Sequence, residues 1–372
     1  MSNAQKKAAG IGVFALAMTI IGNVVGVGFS TGREIMTYFG NFGKSGIAGI
    51  VVSFALLAVF APITYSTAKN MNRYSFDWVV TPLGWKPLRI FNTVFTLVGL
   101  SSSVSAMIAA SGAILKALFQ VPYLVGCLLM AAACLITVIF SLNKFSDVMS
   151  AMVPVMVVLA ISICLICVIR PVTPDGGWDV VDSSSNMAKT WWLSALVYFG
   201  YNVGPIIQLV TPMTPSIKDS KTSIISSVLF YIALVAVAIC AMLAIVFNYP
   251  ICSSEALPTV TMGFYKAPIF GILYGVVAMI AIYSTCTAFL FIFKSVFAKS
   301  EKLRTSNKKM VLLLLVLVLA CLGASFIGYS NFVDKVWTVL GYFGLIGVAG
   351  TVFNFFYYRK HPVTAAPTKE EE

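Results

Sequence analysis

Residues 21–32 read Ile21-Gly22-Asn23-Val24-Val25-Gly26-Val27-Gly28-Phe29-Ser30-Thr31-Gly32, four glycines within eleven residues in the middle of an otherwise apolar stretch. In a helix each glycine costs about 1 kcal/mol relative to alanine, so this stretch is expected to unwind. Backbone freed inside a bilayer must be satisfied by something other than lipid, and survives only around a water-filled cavity, an ion or a solute. A second stretch, Gly200-Tyr201-Asn202-Val203-Gly204-Pro205, carries a proline that removes a backbone donor and clashes with the preceding turn. It is expected to break the sixth span. Glycines at such places also serve close helix packing, and the sequence leaves both readings open.

The bilayer itself follows from composition. Of 372 residues, 59% belong to the AVILMFWYC set and only 10% are charged, with mean hydropathy +0.93. A soluble domain carries about a quarter charged residues. Apolar spans fall at 8–39, 46–68, 87–119, 122–141, 147–169, 188–213, 222–248, 263–295, 310–329 and 332–357. At about twenty residues per crossing, the expected fold is an all-α polytopic membrane protein of about ten helices. Unbroken runs such as Val311–Leu322 argue against a transmembrane barrel, whose strands alternate apolar and polar. Lys6 and Lys7 precede a stretch that reads as the first membrane helix rather than a cleaved signal. Residues 1–360 are expected to form one transmembrane domain, with halves at about 8–170 and 188–357, and residues 361–372 a disordered cytoplasmic tail.

The formal charge of +12 is spread over short loops without an aromatic-interleaved basic tract, so nucleic acid is not an expected partner. With the N-terminus inside, most of the 25 basic residues fall in cytoplasmic segments, which predicts both termini cytoplasmic in a bacterial cell membrane. The eight cysteines lie almost all inside apolar runs, and Cys164 and Cys167, despite CxxC spacing, read as packing residues. The single histidine, His361, stands in the polar tail, leaving no imidazole for a triad or metal site within the membrane. No GxxxxGK[ST] loop is present. An enzyme is therefore not expected; an ion channel or membrane sensor is the alternative to a transporter.

The two interruptions fall in the first span of five and the first span of the next five. Five spans reverse direction, so the halves would be inverted, and paired interrupted helices in inverted repeats point to a transporter's binding site. Here the sequence resembles a known family. Gly22-Asn23-Val24-Val25-Gly26-Val27-Gly28 is similar to the unwinding motif in the first helix of LeuT-fold transporters, of the amino acid–polyamine–cation superfamily. Ala281-Ile282-Tyr283-Ser284-Thr285 in span eight is similar to the pattern with which that fold completes a sodium site. Within the superfamily, residues Gly26 to Ile35 most resemble the YkvI-type membrane proteins. The resemblance implies a 5+5 inverted repeat with helices 1 and 6 broken.

It also implies a set of site residues. A Na⁺ ion would be held by carbonyls of Gly22, Val25 and Ala281 and hydroxyls of Ser284 and Thr285, five neutral oxygens without a carboxylate. The alternative is that Ser284 and Thr285 bond back to their own helix. Phe29 stands where two-sodium relatives carry an asparagine, so at most one sodium, or proton coupling, is expected. The solute would lie against Gly26, Val27, Gly28, Phe29, Ser30, Phe199, Tyr201 and Asn202, with the half-helix from Ser30 favouring an anionic group. Ser101, Ser102, Ser103 and Ser105 are candidates for the same cavity. Glu34 is the one carboxylate well inside a span. It fits a capping box with Thr31, a coupling role, or nearness to the outer interface. The expected function is secondary active transport of a small solute, an amino acid or related small carboxylate or amine, coupled to Na⁺ or H⁺ by alternating access.

Overall fold

The computed structural model describes residues 10–140, 158–172, 177–179, 181–184, 186–297 and 306–363. The start of the expected fifth span and the tail beyond residue 363 lie outside the described residues. The first span is built of three pieces, α1 (Val13–Val24), α2 (Val27–Thr31) and α3 (Arg33–Tyr38). Then follow α4 (Lys44–Met71), α5 (Lys86–Phe119), α6 (Tyr123–Ile139), α7 (Val158–Ile169), α8 (Trp191–Met213) and α9 (Ser220–Phe247). A short α10 (Pro258–Lys266) leads into α11 (Pro268–Phe297), and α12 (Asn307–Ser325) into α13 (Trp337–Lys360). Among the described residues seven helices are long and apolar enough to cross a membrane, and three shorter apolar ones, α1, α6 and α7, lie within further expected spans. Several of the long helices present exposed apolar residues, as at Val59, Val94, Ile232 and Val316, a surface suited to hydrocarbon.

The helices sort into two groups by their contacts. α1, α4, α8 and α9 pack on one another, with α13 laid against α4 and α8. α5, α6, α11 and α12 form the other group. In span numbers these are 1, 2, 6 and 7 against 3, 4, 8 and 9, so spans one to four each share a group with the span five places later. That is the signature of two equivalent halves, although they share no residue pattern that is evident by eye. The first group is fastened near its ends: Asp219 caps α9 by accepting the Thr222 N–H at 2.6 Å, which holds its carboxyl below the usual range. The Ile11 N–H donates to the Ser216 carbonyl at 2.7 Å, tying the start of the described chain to the α8–α9 turn.

Span six departs from expectation, because α8 is one continuous helix with Pro205 and Pro212 inside it. The reason is visible at Gly200. A Cβ there would collide with the Gly341 carbonyl of α13, and one on Gly344 would collide with the Gly200 carbonyl. Here the glycines bring α8 and α13 into backbone contact, and the packing gained keeps the helix wound. Asn202 turns its Nδ2 to the Tyr198 carbonyl of its own helix at 3.1 Å. Pro205, lacking an N–H, withholds only the donor that the Tyr201 carbonyl would otherwise receive.

Candidate functional site at the span-one break

Span one is interrupted twice. After Val24 the chain turns through Val25 (ψ 66°) and the extended Gly26, and the Gly26 N–H, which a continuous helix would send to Gly22, donates instead to the Val24 carbonyl at 2.8 Å. The Gly22 carbonyl is thereby released from the ladder. The second interruption is Gly32, at φ +80°, a left-handed conformation that a side chain would strain and for which Thr259 leaves no room. Its effect is to re-aim α3, so that Arg33 and Glu34 diverge.

Glu34 does not complete a capping box. Gly32 caps α3, and the Thr31 hydroxyl, which accepts from the Arg33 N–H at 3.5 Å, lies 3.2 Å from the Gly28 carbonyl and 2.8 Å from the Tyr329 hydroxyl, with no return bond from Glu34. Glu34 is buried, only 3% exposed. Its carboxyl folds back over Gly28, in the space a Cβ at Gly28 would fill, beside the Tyr198 hydroxyl. Glu34 Oε2 and the Tyr198 hydroxyl are both buried without a hydrogen-bond partner in geometry. A buried carboxyl with an unpartnered oxygen is tolerable only when neutral or when a cation lies beside it.

Arg33 points the other way. Its Nε donates to Asp334 Oδ1 at 3.1 Å and Nη2 pairs with Oδ2, while Nη1 donates to the Glu255 carbonyl at 2.9 Å. Thr37 donates to the same Asp334 at 2.6 Å, and the Tyr38 hydroxyl lies 3.1 Å from that of Thr338. Asp334 belongs to a π-helical turn, Phe332–Val336, just before α13. Such turns recur at functional sites. Together these bonds close one end of the molecule over the break.

Toward the other end a cleft of about 90 Å³ runs from Ser103 and Tyr201 to Phe76 and Val80 of the α4–α5 connection. Its walls are α5, α8 and α13, with Phe289 of α11. Tyr201 stacks on Trp337 with ring centroids 4.9 Å apart.

The expected site residues are therefore divided. Tyr201 and Ser103 line the cleft; Ser101, Ser102 and Ser105 bond back to their own helix. Phe29 and Ser30 are buried at the break, Phe29 edge-on to Phe54, and a Cβ on Gly26 would meet nothing within 4 Å. The side chain of Val27 is outside the described set. Phe199 turns away to pack on Phe60, and Asn202 is buried against its own helix. As for the cation set, Thr285 donates to the Ala281 carbonyl at 3.0 Å, so two of the five oxygens engage each other. α1 packs on α8 and α9, and α11 meets span one higher up, where the Tyr274 hydroxyl donates to the Ser30 carbonyl. Asp334, Tyr198 and Trp337 were not singled out from sequence. An acid near a span end opposite Arg33 was the signal available for Asp334; for the aromatics, amid 13% aromatic content, there was none.

No family model matches the sequence. The chain is 24% identical over 343 residues to the uncharacterized membrane protein YkvI of Bacillus subtilis, covering 89% of this chain and 92% of that one. Its fold is similar to that of MhsT in complex with L-phenylalanine, at TM-score 0.64, 16% identity and coverage of 89% and 87%. It is equally similar to Mhp1, a nucleobase-cation-symport-1 family transporter closed around bromovinylhydantoin, at TM-score 0.64, 14% identity and coverage of 90% and 75%. The two helix groups, the broken first span and these likenesses agree: this is a polytopic all-α membrane protein with the LeuT fold, similar over nearly its whole length to YkvI.

Proposed function

We propose that the chain is a secondary active transporter working by alternating access, and that a proton carried by Glu34 couples the movement of a small solute. The observation that carries this reading is the buried Glu34 carboxyl, with an unpartnered oxygen, folded over the helix break. A group that must be neutral or cation-paired when enclosed, and can ionise when water reaches it, changes its proton occupancy as access alternates. The end closed by Arg33–Asp334 and the cleft at the other end fit one state of such a cycle. For the solute we keep an amino acid or related small carboxylate or amine, of a size that the break and Tyr201 could hold; MhsT holds L-phenylalanine and Mhp1 a hydantoin. Cytoplasmic termini in a bacterial cell membrane are part of the proposal, resting on the distribution of basic residues.

Coupling to Na⁺ is the second reading, favoured by the Gly22 carbonyl that the Gly26 turn releases. A sodium at Gly22, Val25, Ala281, Ser284 and Thr285 would require α1 to approach α11 and Thr285 to exchange its bond to Ala281. The test is uptake into proteoliposomes. Amino acids, amines and small carboxylates are first screened for stabilisation of the purified protein. The ligand found is then followed under an imposed pH gradient or an imposed Na⁺ gradient. Uptake driven by pH alone supports Glu34; a strict Na⁺ requirement moves the coupling to the five-oxygen set; flux without saturation or counterflow points to a channel.

A further inference from the structure

Part of the cleft's lining is also exposed on the outside of the helix bundle. Phe91 of α5 and Phe343 and Ile346 of α13 line the cleft and are also 49%, 46% and 50% exposed. Their exposed neighbours on the same helix faces are Ile90, Val94 and Val98 on α5 and Val339 and Tyr342 on α13, an apolar surface of two membrane spans. The rim of the cleft between α5 and α13 is thus continuous with the bilayer-facing surface.

The interior suits what lies outside. No charged side chain is among the described residues lining it. Of its polar groups, Asn92 is spent on the Thr81 hydroxyl at 3.0 Å and Thr96 on the Asn92 carbonyl at 2.8 Å. Phe95 stands 5.7 Å from Phe343 and 6.3 Å from Phe91, giving the groove an aromatic wall. Its depth comes from missing side chains, since a Cβ on Gly99 or on Gly204 would meet nothing within 4 Å. A groove without charge, lined mostly by apolar side chains beside Ser103, Tyr201 and Gln208 and open to hydrocarbon, offers an acyl chain surroundings like those it has in the bilayer.

We propose that this rim is a lateral portal, and that an acyl chain of a bilayer phospholipid enters between α5 and α13, passes the Phe91–Phe95–Phe343 wall and reaches Gly204 on α8. The proposal is independent of which solute or ion is transported.

α8 makes the test clean, because its residues from Leu193 to Thr211 are buried or half-buried, unlike the exposed apolar residues of α12. The full-length protein is reconstituted in vesicles of phosphatidylcholine carrying a photoactivatable diazirine near the end of one acyl chain. It is then irradiated and mapped by peptide mass spectrometry. Annular lipid will mark α12 at Leu312–Leu319 in any case. The expected result is additional adducts on Gly204–Gln208 of α8, lost in Gly99→Phe while the α12 adducts persist. Adducts on surface positions alone in the unmodified protein overturn the proposal, and that reading needs no variant to fold. Adducts on α8 that survive Gly99→Phe overturn the route. Rapid modification of Gly204→Cys by a membrane-impermeant thiosulfonate, without α8 adducts, would identify the groove as water-filled and likewise overturn it.

Discussion

At Glu34 three features meet: a carboxyl at membrane depth, an oxygen without a donor, and a glycine whose missing side chain makes the space. Glu34→Gln keeps the shape and removes the ionisation. It should leave folding intact and abolish accumulation driven by a pH gradient while allowing exchange of solute down its own gradient; proteoliposome uptake with and without the gradient measures this, and unchanged accumulation would exclude Glu34 as the coupling group. Gly28→Ala should give a similar loss by a different route, since the methyl group displaces the carboxyl. Gly26→Ala has open space and should be tolerated, whereas Gly26→Leu should insert normally and stop transport by filling that space. If sodium is the coupling ion instead, Thr285→Ala removes one oxygen at a cost on the order of 1–3 kcal/mol, raising the Na⁺ requirement by roughly five- to a hundredfold, with Thr285→Ser nearly silent. Glu34 could be found from sequence because a carboxylate inside an apolar run is rare. Its role could not, because capping and burial differ only in the direction of the side chain, which Gly32 sets by re-aiming α3.

The two interrupted helices show what a glycine signal means at the level of the element. In span one, Gly26 has no neighbour to pack on and Gly32 takes a positive φ, so the helix breaks. In α8, Gly200 meets Gly341 and Gly344 backbone to backbone, and the helix stays wound. The same residue type gives opposite outcomes, depending on whether a partner helix lies within reach, which the sequence of one span does not contain. Pro205 remains a weak point of α8, facing the cleft with the Tyr201 carbonyl denied its usual donor. A proline inside a helix costs about 3 kcal/mol relative to alanine, so Pro205→Ala should raise the thermal midpoint of the purified protein. If α8 bends here during transport, the same change should slow uptake at saturating solute; a more stable protein with undiminished rate would show that α8 moves as a rigid rod.

For the whole molecule, span count and helical class were within reach of the sequence, because hydropathy carries them. Which end is closed was not, because it depends on side chains 301 residues apart, Arg33 and Asp334. That pair joins α3 to the turn before α13, with Thr37 and Tyr38 bonded to the same segment, so opening this end requires their separation. The Arg33 side chain is 13% exposed and that of Asp334 29%, a partly shielded pair rather than a surface one. Removing one partner of a fully buried pair costs about 3–5 kcal/mol. Shielding here is incomplete and the Glu255 carbonyl still holds Arg33, so about 1.4–2.8 kcal/mol is a fair share, a ten- to hundredfold shift toward the open end. Asp334→Asn should therefore raise the reactivity of Gly26→Cys toward an impermeant thiol reagent added from the side that the Arg33–Asp334 pair closes. Among the described cysteines only Cys240 is not buried, so Cys240→Ala supplies the background. Arg33→Lys, which keeps the charge and loses the two-pronged geometry, should lie between. Because a population shift in either direction starves one half of the cycle, Asp334→Asn should also slow net transport even as labelling speeds up. Equal labelling rates in the parent and Asp334→Asn would mean that the pair merely braces the fold, and the closed end would have to be held by the packing of Tyr329 on Trp337 instead.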